Sequence, residues 1–429
     1  MRLWCFLRYL IARLTFFALR LPVSRFEREV SELWRLTPEE RKKRLDETLK
    51  SNSPRGENGE RVSSVAQLDD QRPLTKSAFR ESTSNAPKTA SGFSRHTAGT
   101  TGDPTHVLLS REELARMLAV RSYCYRHHGI RLGQREARIW GRAEDTTAAR
   151  VRDFLLNRKV FYPAESDVEN IVLKLANWRP EYIYGYTSLI LEAAQVAKSK
   201  KIRIDGLKAV VCTAEAILPA QKRYISEAFR APVLEEYGST EFDVIAFECR
   251  SGHLHLVNPW LWVEAEDETV LITDVARESQ NLVRYQLGDV LEIGDSRCDR
   301  LGNNQVVHDL KGRTSNQFAY FGLKYKFHAV VFGRMFDRYM AEFEDCFKFH
   351  VTQIDPYSFV IFLSVMPKKG GLHLTSWIES YCLDYFGDVI GEKVRFSLSS
   401  EVLKRSRDKH TYFSLDFDPV NYSGLCNEV

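Results

Sequence analysis

A chain of 429 residues exceeds one ordinary domain and implies at least two hydrophobic cores. Its 44% hydrophobic and 28% charged residues are those of a globular protein, and a net charge of +4 is too small to mark nucleic acid as the partner. The eight cysteines are scattered without a CxxC pair, which excludes a small-domain disulfide framework and reads as reduced thiols in the cytoplasm.

In chain order, the apolar stretch Leu3 to Leu21 comes first, interrupted by Arg8, Arg13 and Arg20. A spanning helix needs about 18–20 uninterrupted apolar residues, and no small-residue cleavage site follows, so neither a membrane span nor a signal peptide is expected. On a helix, Arg2, Arg13 and Arg20 share a face and Arg8 lies off it. Two readings stand: peripheral contact with an anionic membrane, at its inner face, or a helix docked on the main domain with a solvated basic stripe. Thr37 to Lys50 predicts an exposed helix, with Thr37 as N-cap and Glu40 completing a capping box. Ser51 to Lys88, carrying Pro54, Pro73 and Pro87, predicts a polar loop or linker.

From Ser91 to about Arg313, helical and strand-like patterns alternate, which favours an α/β architecture. Val168–Leu175 and Ser188–Lys198 have helical spacing; Leu207–Thr213 and Val270–Thr273 read as short buried strands. Beyond a boundary near Gly312 to Gln317, the strand Tyr357–Val365, the helix Thr375–Phe386 and the strand Val394–Ser399 predict a smaller α+β unit. The expected organisation is an N-terminal helical segment (1–50), a linker (51–88), a large multi-subdomain α/β domain (89–313) and a small α+β domain (314–429).

Four short motifs carry the chemistry. Thr97 to Thr105 (TAGTTGDPT) offers exposed N–H groups and hydroxyls that suit phosphate oxygens; it lacks the GK[ST] ending of a Walker loop, and a loop of this kind alone is more often a plain turn. Glu235 to Glu241 (EEYGSTE) joins an apolar strand to a tight turn, placing an aromatic ring, a hydroxyl and a carboxylate close together. Leu282 to Asp289 (LVRYQLGD) ends in an acid after glycine, suited to a pair of ribose hydroxyls. Gly312-Arg313 adds a guanidinium.

In this order, TAGTTGDPT, YGSTE, RYQLGD and GR resemble the signature of the adenylate-forming superfamily of acyl-CoA synthetases and luciferases. The form of the loop and Gly185-Tyr186-Thr187-Ser188 look like its phenylacetate-CoA ligase branch, particularly the CapK-type members encoded with capsule and exopolysaccharide genes. The resemblance covers roughly residues 70 to 415. It implies that ATP, with Mg²⁺, activates a carboxylic acid as an acyl-AMP, and that the acyl group passes to coenzyme A or another acceptor. It further implies a mobile C-terminal domain. Carried over by motif, Thr100, Thr101 and Gly102 would contact ATP phosphates, Tyr237 and Gly238 adenine, Thr240 the α-phosphate, Glu241 Mg²⁺, Asp289 the ribose, and Arg313 the ribose or the hinge. Ala214 and Glu215 match the family's Gly-Ala-Glu-Pro-like element. Lys409 matches its catalytic lysine, with Lys404 as the alternative.

The chain departs from the pattern at three places. Asp103 stands where relatives carry lysine, Thr314-Ser315-Asn316 replaces an acidic hinge, and Asp408 replaces the glycine before the lysine. A weakened, nucleotide- or acyl-binding member of a membrane-associated polysaccharide assembly, or an enzyme loading a carrier protein, are therefore rival readings. Cys249, His253 and His255 offer three donors for zinc, and Cys298 is a further candidate, although Arg300 stands where relatives complete a cysteine pair. Zinc is accordingly not expected among the cofactors.

Overall fold

The computed structural model describes residues 3–84, 92–96, 105–141, 146–163, 167–266, 269–298, 300–302, 305–313, 318–321, 325–387, 393–403 and 409–417. Three helices open the chain: α1 (Leu3–Ala18), α2 (Val23–Leu33) and α3 (Pro38–Asn52). At the start of α3 the capping box forms, with Glu40 N donating to Thr37 Oγ1 at 3.2 Å and Thr37 N to Glu40 Oε2 at 2.9 Å.

In helix α1 Arg8 and Arg13 find partners on the protein; of the expected basic stripe, Arg20 is exposed just beyond the helix and Arg2 lies outside the described residues. Arg8 is buried, donates to the Phe154 carbonyl at 2.9 Å and lies over the Phe154 ring. Arg13 pairs with Glu27 at 2.5 Å. With those partners available on the protein, the face left to solvent is apolar: Leu7, Leu10, Leu14 and Phe17 are all exposed, Phe17 by 83%. Among the described residues no helix is long and apolar enough to cross a membrane.

The stretch expected as a linker is packed. Val62, Val65 and Leu68 are buried in the core beneath α2 and α3. Helix α4 (Lys76–Ser84) buries Phe79 against Tyr285, with ring centroids 5.4 Å apart. Widely spaced apolar residues anchor this polar segment, a pattern too sparse for periodicity to detect.

The hairpin β1 (Phe93–His96) and β2 (His106–Leu109) follows, then α5 (Arg111–His127). An alternating run comes next: β3 (Glu136–Ile139), α6 (Thr147–Leu155), β4 (Arg158–Phe161), α7 (Val168–Trp178), β5 (Tyr182–Tyr186), α8 (Thr187–Ser199), β6 (Ala209–Thr213), α9 (Pro219–Phe229) and β7 (Val233–Ser239). The chain then becomes mostly strand, with β8 (Asp243–Glu248), β9 (Leu254–Leu256), β10 (Leu261–Glu266), β11 (Thr269–Asp274), β12 (Tyr285–Gln286), β13 (Asp289–Asp295) and β14 (Gln305–Arg313).

Nine of these strands form one sheet in the order β13-β14-β9-β8-β7-β6-β5-β3-β4. From β4 to β7 neighbouring strands are parallel; from β7 outward to β13 they are antiparallel. Strands β5 and β6 are buried at every position, as parallel strands covered by helices on both faces must be. The switch of direction falls at β7, the strand that carries Tyr237 and Gly238.

The remaining elements are β15 (Phe318–Phe321), β16 (Tyr325–His328), α10 (Val330–Glu342), β17 (Phe349–Asp355), β18 (Ser358–Leu363), α11 (Gly371–Phe386), β19 (Arg395–Leu398) and β20 (Phe413–Leu415). A four-stranded sheet, β19-β18-β17-β20, packs with α10 and α11 around a phenylalanine-rich core that includes Phe332, Phe336, Phe349 and Phe359. The strand Tyr357–Val365 and the helix Thr375–Phe386 read from the sequence correspond to β18 and α11.

Candidate functional site

Strand β7 ends at the centre of the candidate site. A bulge separates Tyr237 from Gly238, and a Cβ at Gly238 would lie 2.0 Å from the Asp243 carbonyl oxygen, so only glycine fits there. The Tyr237 hydroxyl donates to Asp289 Oδ2 at 2.8 Å, joining the second motif to the third. Asp289 opens β13 directly after Gly288, whose φ of +79° makes the turn, and it lies opposite Arg313 in the β13–β14 register. A second bond links the same two motifs: Tyr285 donates to Glu241 Oε1 at 2.9 Å, with both residues buried. Arg284 fixes the segment before Asp289 by donating to the Gln71 carbonyl at 2.8 Å and pairing with Glu264 at 3.2 Å. Thr240 sits half-buried in the turn between Ser239 and Glu241.

The first motif is placed only by its flanks. Thr100, Thr101 and Gly102 lie outside the described residues, as does Asp103, but the strands on either side of positions 97–104 pair antiparallel, His96 against His106. Lys404, Asp408 and Thr314 to Asn316 also lie outside them.

Glu215 connects the core to the C-terminal unit. One carboxylate oxygen accepts from Ser188 N at 2.7 Å, and the other from Ser188 Oγ at 3.1 Å and from His410 N at 2.6 Å. Burial pushes the Glu215 carboxyl upward against these donors. The preceding Ala214 has a φ of +69°, a conformation an alanine adopts at a cost. Lys409, one residue before His410, is exposed at this junction. Tyr412 donates to the Ala216 carbonyl at 3.0 Å, and Asp337 accepts from Ala220 N at 2.7 Å, capping the first turn of α9. The residues Ser188, Ala214, Glu215 and Lys409 thus meet at one seam between the two units.

Behind Tyr237, on the opposite face of β7, lies a charged cluster that the sequence reading missed. Arg121 donates to Glu236 at 3.0 and 3.1 Å and to Asp243 at 2.9 Å; Tyr184 donates to Glu236 at 3.0 Å. Burial raises the Glu236 carboxyl, whereas at Asp243 burial is outweighed by Arg121 and Arg95, which hold that carboxyl low. The alternation of β7 is the one local signal for this cluster, since it forces Glu236 to the side away from Tyr237.

Cys249, His253, His255 and Cys298 converge, with their donor atoms all within 4.8 Å of one another. Cys298, the candidate weighed down by Arg300 in the sequence, is brought by the fold to 3.8 Å from Cys249 although 49 positions separate them.

A central sheet whose direction switches at the YGSTE strand, followed by a small α+β unit docked at the same strand ends, is the fold of the adenylate-forming CoA ligases. Among solved structures, 2-hydroxyisobutyryl-CoA ligase in the postadenylation state with 2-HIB-AMP matches with a TM-score of 0.62 and 16% identity over 94% of this chain and 90% of that one. The anthranilate CoA ligase AuaEII in complex with anthranoyl-AMP matches with a TM-score of 0.50 and 14% identity, covering 74% of this chain and 65% of that one. Protein CapK of Staphylococcus aureus is 24% identical over 211 residues, which span 46% of this chain and 47% of CapK, about half the length of that relative. No protein-family model matches the chain.

Proposed function

We propose that the chain is an ATP-dependent ligase that joins a carboxylic acid to AMP and then passes the acyl group to an acceptor. In the first step a carboxylate oxygen attacks the α-phosphorus of ATP, the new O–P bond forms and pyrophosphate leaves. The observation that carries this reading is the pair of bonds Tyr237–Asp289 and Glu241–Tyr285, which draw two separate motifs into one site at the end of β7. Asp289 and Tyr237 would hold ribose and adenine, Thr240 a phosphate oxygen, and Arg313 the ribose or the hinge. Glu241, a buried carboxylate beside a hydroxyl, fits a hard cation, and Mg²⁺ there would offset nucleotide charge. Lys409, exposed at the seam, would place its cation against the charge that develops on the α-phosphate.

Coenzyme A is the acceptor this reading favours, in line with the 2-hydroxyisobutyryl-CoA ligase fold; the partial likeness to CapK supports a phenylacetate-CoA ligase-like enzyme of capsule or exopolysaccharide synthesis, with a saccharide or carrier-protein acceptor as the alternatives. The exposed apolar face of α1, flanked by exposed Arg20, Arg25 and Arg28, supports peripheral contact with an anionic membrane. Replacing both Leu14 and Phe17 by Glu should abolish vesicle binding while sparing adenylation; vesicle binding unchanged by the pair would remove the membrane from this reading. The central test is isotope exchange between ATP and pyrophosphate across aliphatic, aromatic and sugar acids. Glu241→Gln should abolish Mg²⁺-dependent exchange in a folded protein, and exchange at the wild-type rate in that variant would overturn the assignment.

A further inference from the structure

We propose that Cys249, His253, His255 and Cys298 form a structural zinc site, an inference independent of the catalytic reading. The two sulfurs lie 3.8 Å apart. A disulfide requires about 2.05 Å. Two thiolates bound at about 2.3 Å to one tetrahedral ion are separated by about 3.8 Å. Cys249 Sγ and His253 Nδ1 lie 3.9 Å apart, close to the roughly 3.6 Å expected for sulfur and nitrogen on the same ion.

The backbone holds these donors in place. Cys249 ends the β8 side of a tight turn in which Cys249 N donates to the His253 carbonyl at 2.9 Å and Gly252 N to the Cys249 carbonyl at 3.0 Å. Gly252 makes that turn with a φ of +83°. Ser251 N donates to Cys249 Sγ at 3.3 Å, which fixes the position of the sulfur. His255, fully buried on β9, is locked between Phe247 of β8 and Val306 of β14. Cys298 comes from the segment after β13. His253 is exposed, so core packing does not explain why its ring joins the other three.

Two thiolates and two imidazoles are a donor set that suits zinc, and four protein ligands leave no open position for chemistry. The role is therefore structural. The ion would fasten the β8–β9 turn to the far end of the β13–β14 hairpin, whose near end carries Asp289.

The test is metal analysis of the full-length chain, purified in reductant without chelator. About one zinc per chain is expected, falling to below about a tenth in Cys298→Ser and in His253→Ala. Cobalt(II) added to the metal-free wild type should give the visible bands of a tetrahedral thiolate complex, and zinc should bleach them. A chelator should lower the Tm of the wild type and leave that of His253→Ala unmoved. Should Cys298→Ser fail to fold, the exposed His253→Ala and the cobalt titration still decide. Folded, reduced wild type with less than about a tenth of a metal per chain and no cobalt spectrum would overturn the site, as would a Cys249–Cys298 disulfide found by mass spectrometry in the native protein.

Discussion

The two faces of β7 solve different problems with neighbouring residues. On one face Tyr237 lies among Phe79, Phe242 and Tyr285, and its hydroxyl reaches Asp289. On the other, Glu236 is 4% exposed and depends on Arg121, Tyr184 and Tyr125 for every ligand its carboxylate is seen to take. The first face presents neutral rings and one charged group at its edge; the second buries two carboxylates whose charge is offset by Arg121 and Arg95 together. A substitution on the Tyr237 face should therefore show in kinetics, and one on the Glu236 face in stability.

The largest expected effect breaks the charged face. Arg121→Met would leave Glu236 without a cation and Asp243 with Arg95 alone, and should destabilise the fold by about 3–5 kcal/mol. Chemical denaturation measures this, and adding Glu236→Gln and Asp243→Asn should restore much of the loss. If Arg121→Met unfolds at the wild-type denaturant concentration, Arg121 does not offset the buried carboxylates.

Next is the kinetic counterpart. Lys409→Ala should slow acyl-AMP formation by about 10²–10³-fold, the effect of losing one preorganised charge-stabilising group, with ATP affinity nearly unchanged. Pre-steady-state pyrophosphate release reads it, and Lys404→Ala is the comparison. A Lys404→Ala variant that alone lost adenylation would move the catalytic role to that residue.

A smaller effect tests Glu235, the neighbour of Glu236. Burial lifts its carboxyl to about 7, with Lys222 opposing and Glu248 adding to the rise. The folded state then holds a proton that the unfolded chain has lost, so this group's contribution turns unfavourable as pH climbs from about 4.5 to 7 and stays so above. Glu235→Gln should raise the Tm at pH 8 relative to the wild type, by the equivalent of up to about 3 kcal/mol, and leave it nearly unchanged near pH 4. A Tm difference that did not vary with pH would refute the shift. Smallest of all, Ala214→Gly should relieve the φ of +69° and gain about 0.5–1 kcal/mol after the entropy cost of glycine, measurable by thermal unfolding.

The parallel half of the sheet was legible because its helices and strands each bury a continuous apolar pattern: α7, α8 and β6 overlap the segments read from periodicity, as does β11 in a separate antiparallel sheet. The packed segment up to and including α4 was not, since Val62, Leu68 and Phe79 are too far apart to form a pattern. The motif residues Tyr237, Glu241 and Asp289 were visible as strings, although the bonds between them were not. Glu236 and Arg121 illustrate the limit: 115 positions separate them, and neither residue carries a local sign that it will be buried against the other. The convergence of Cys298 on Cys249 is of the same kind, a product of the β13–β14 hairpin folding back beside β9.

The bonds at the start of α9 bear on how firmly the C-terminal unit is docked. Separating the C-terminal unit there would strip the Asp337 cap from α9, the His410 donor from Glu215 and the Tyr412 bond from Ala216. Three such bonds are worth about 3–4 kcal/mol in net terms, two of them being charge-assisted. On their own they would hold roughly one molecule in several hundred apart at any moment. The Lys348–Glu192 and Arg334–Asp309 pairs join the same two units, so a ligand that favoured a separated form would have to offset all of these contacts by its differential affinity.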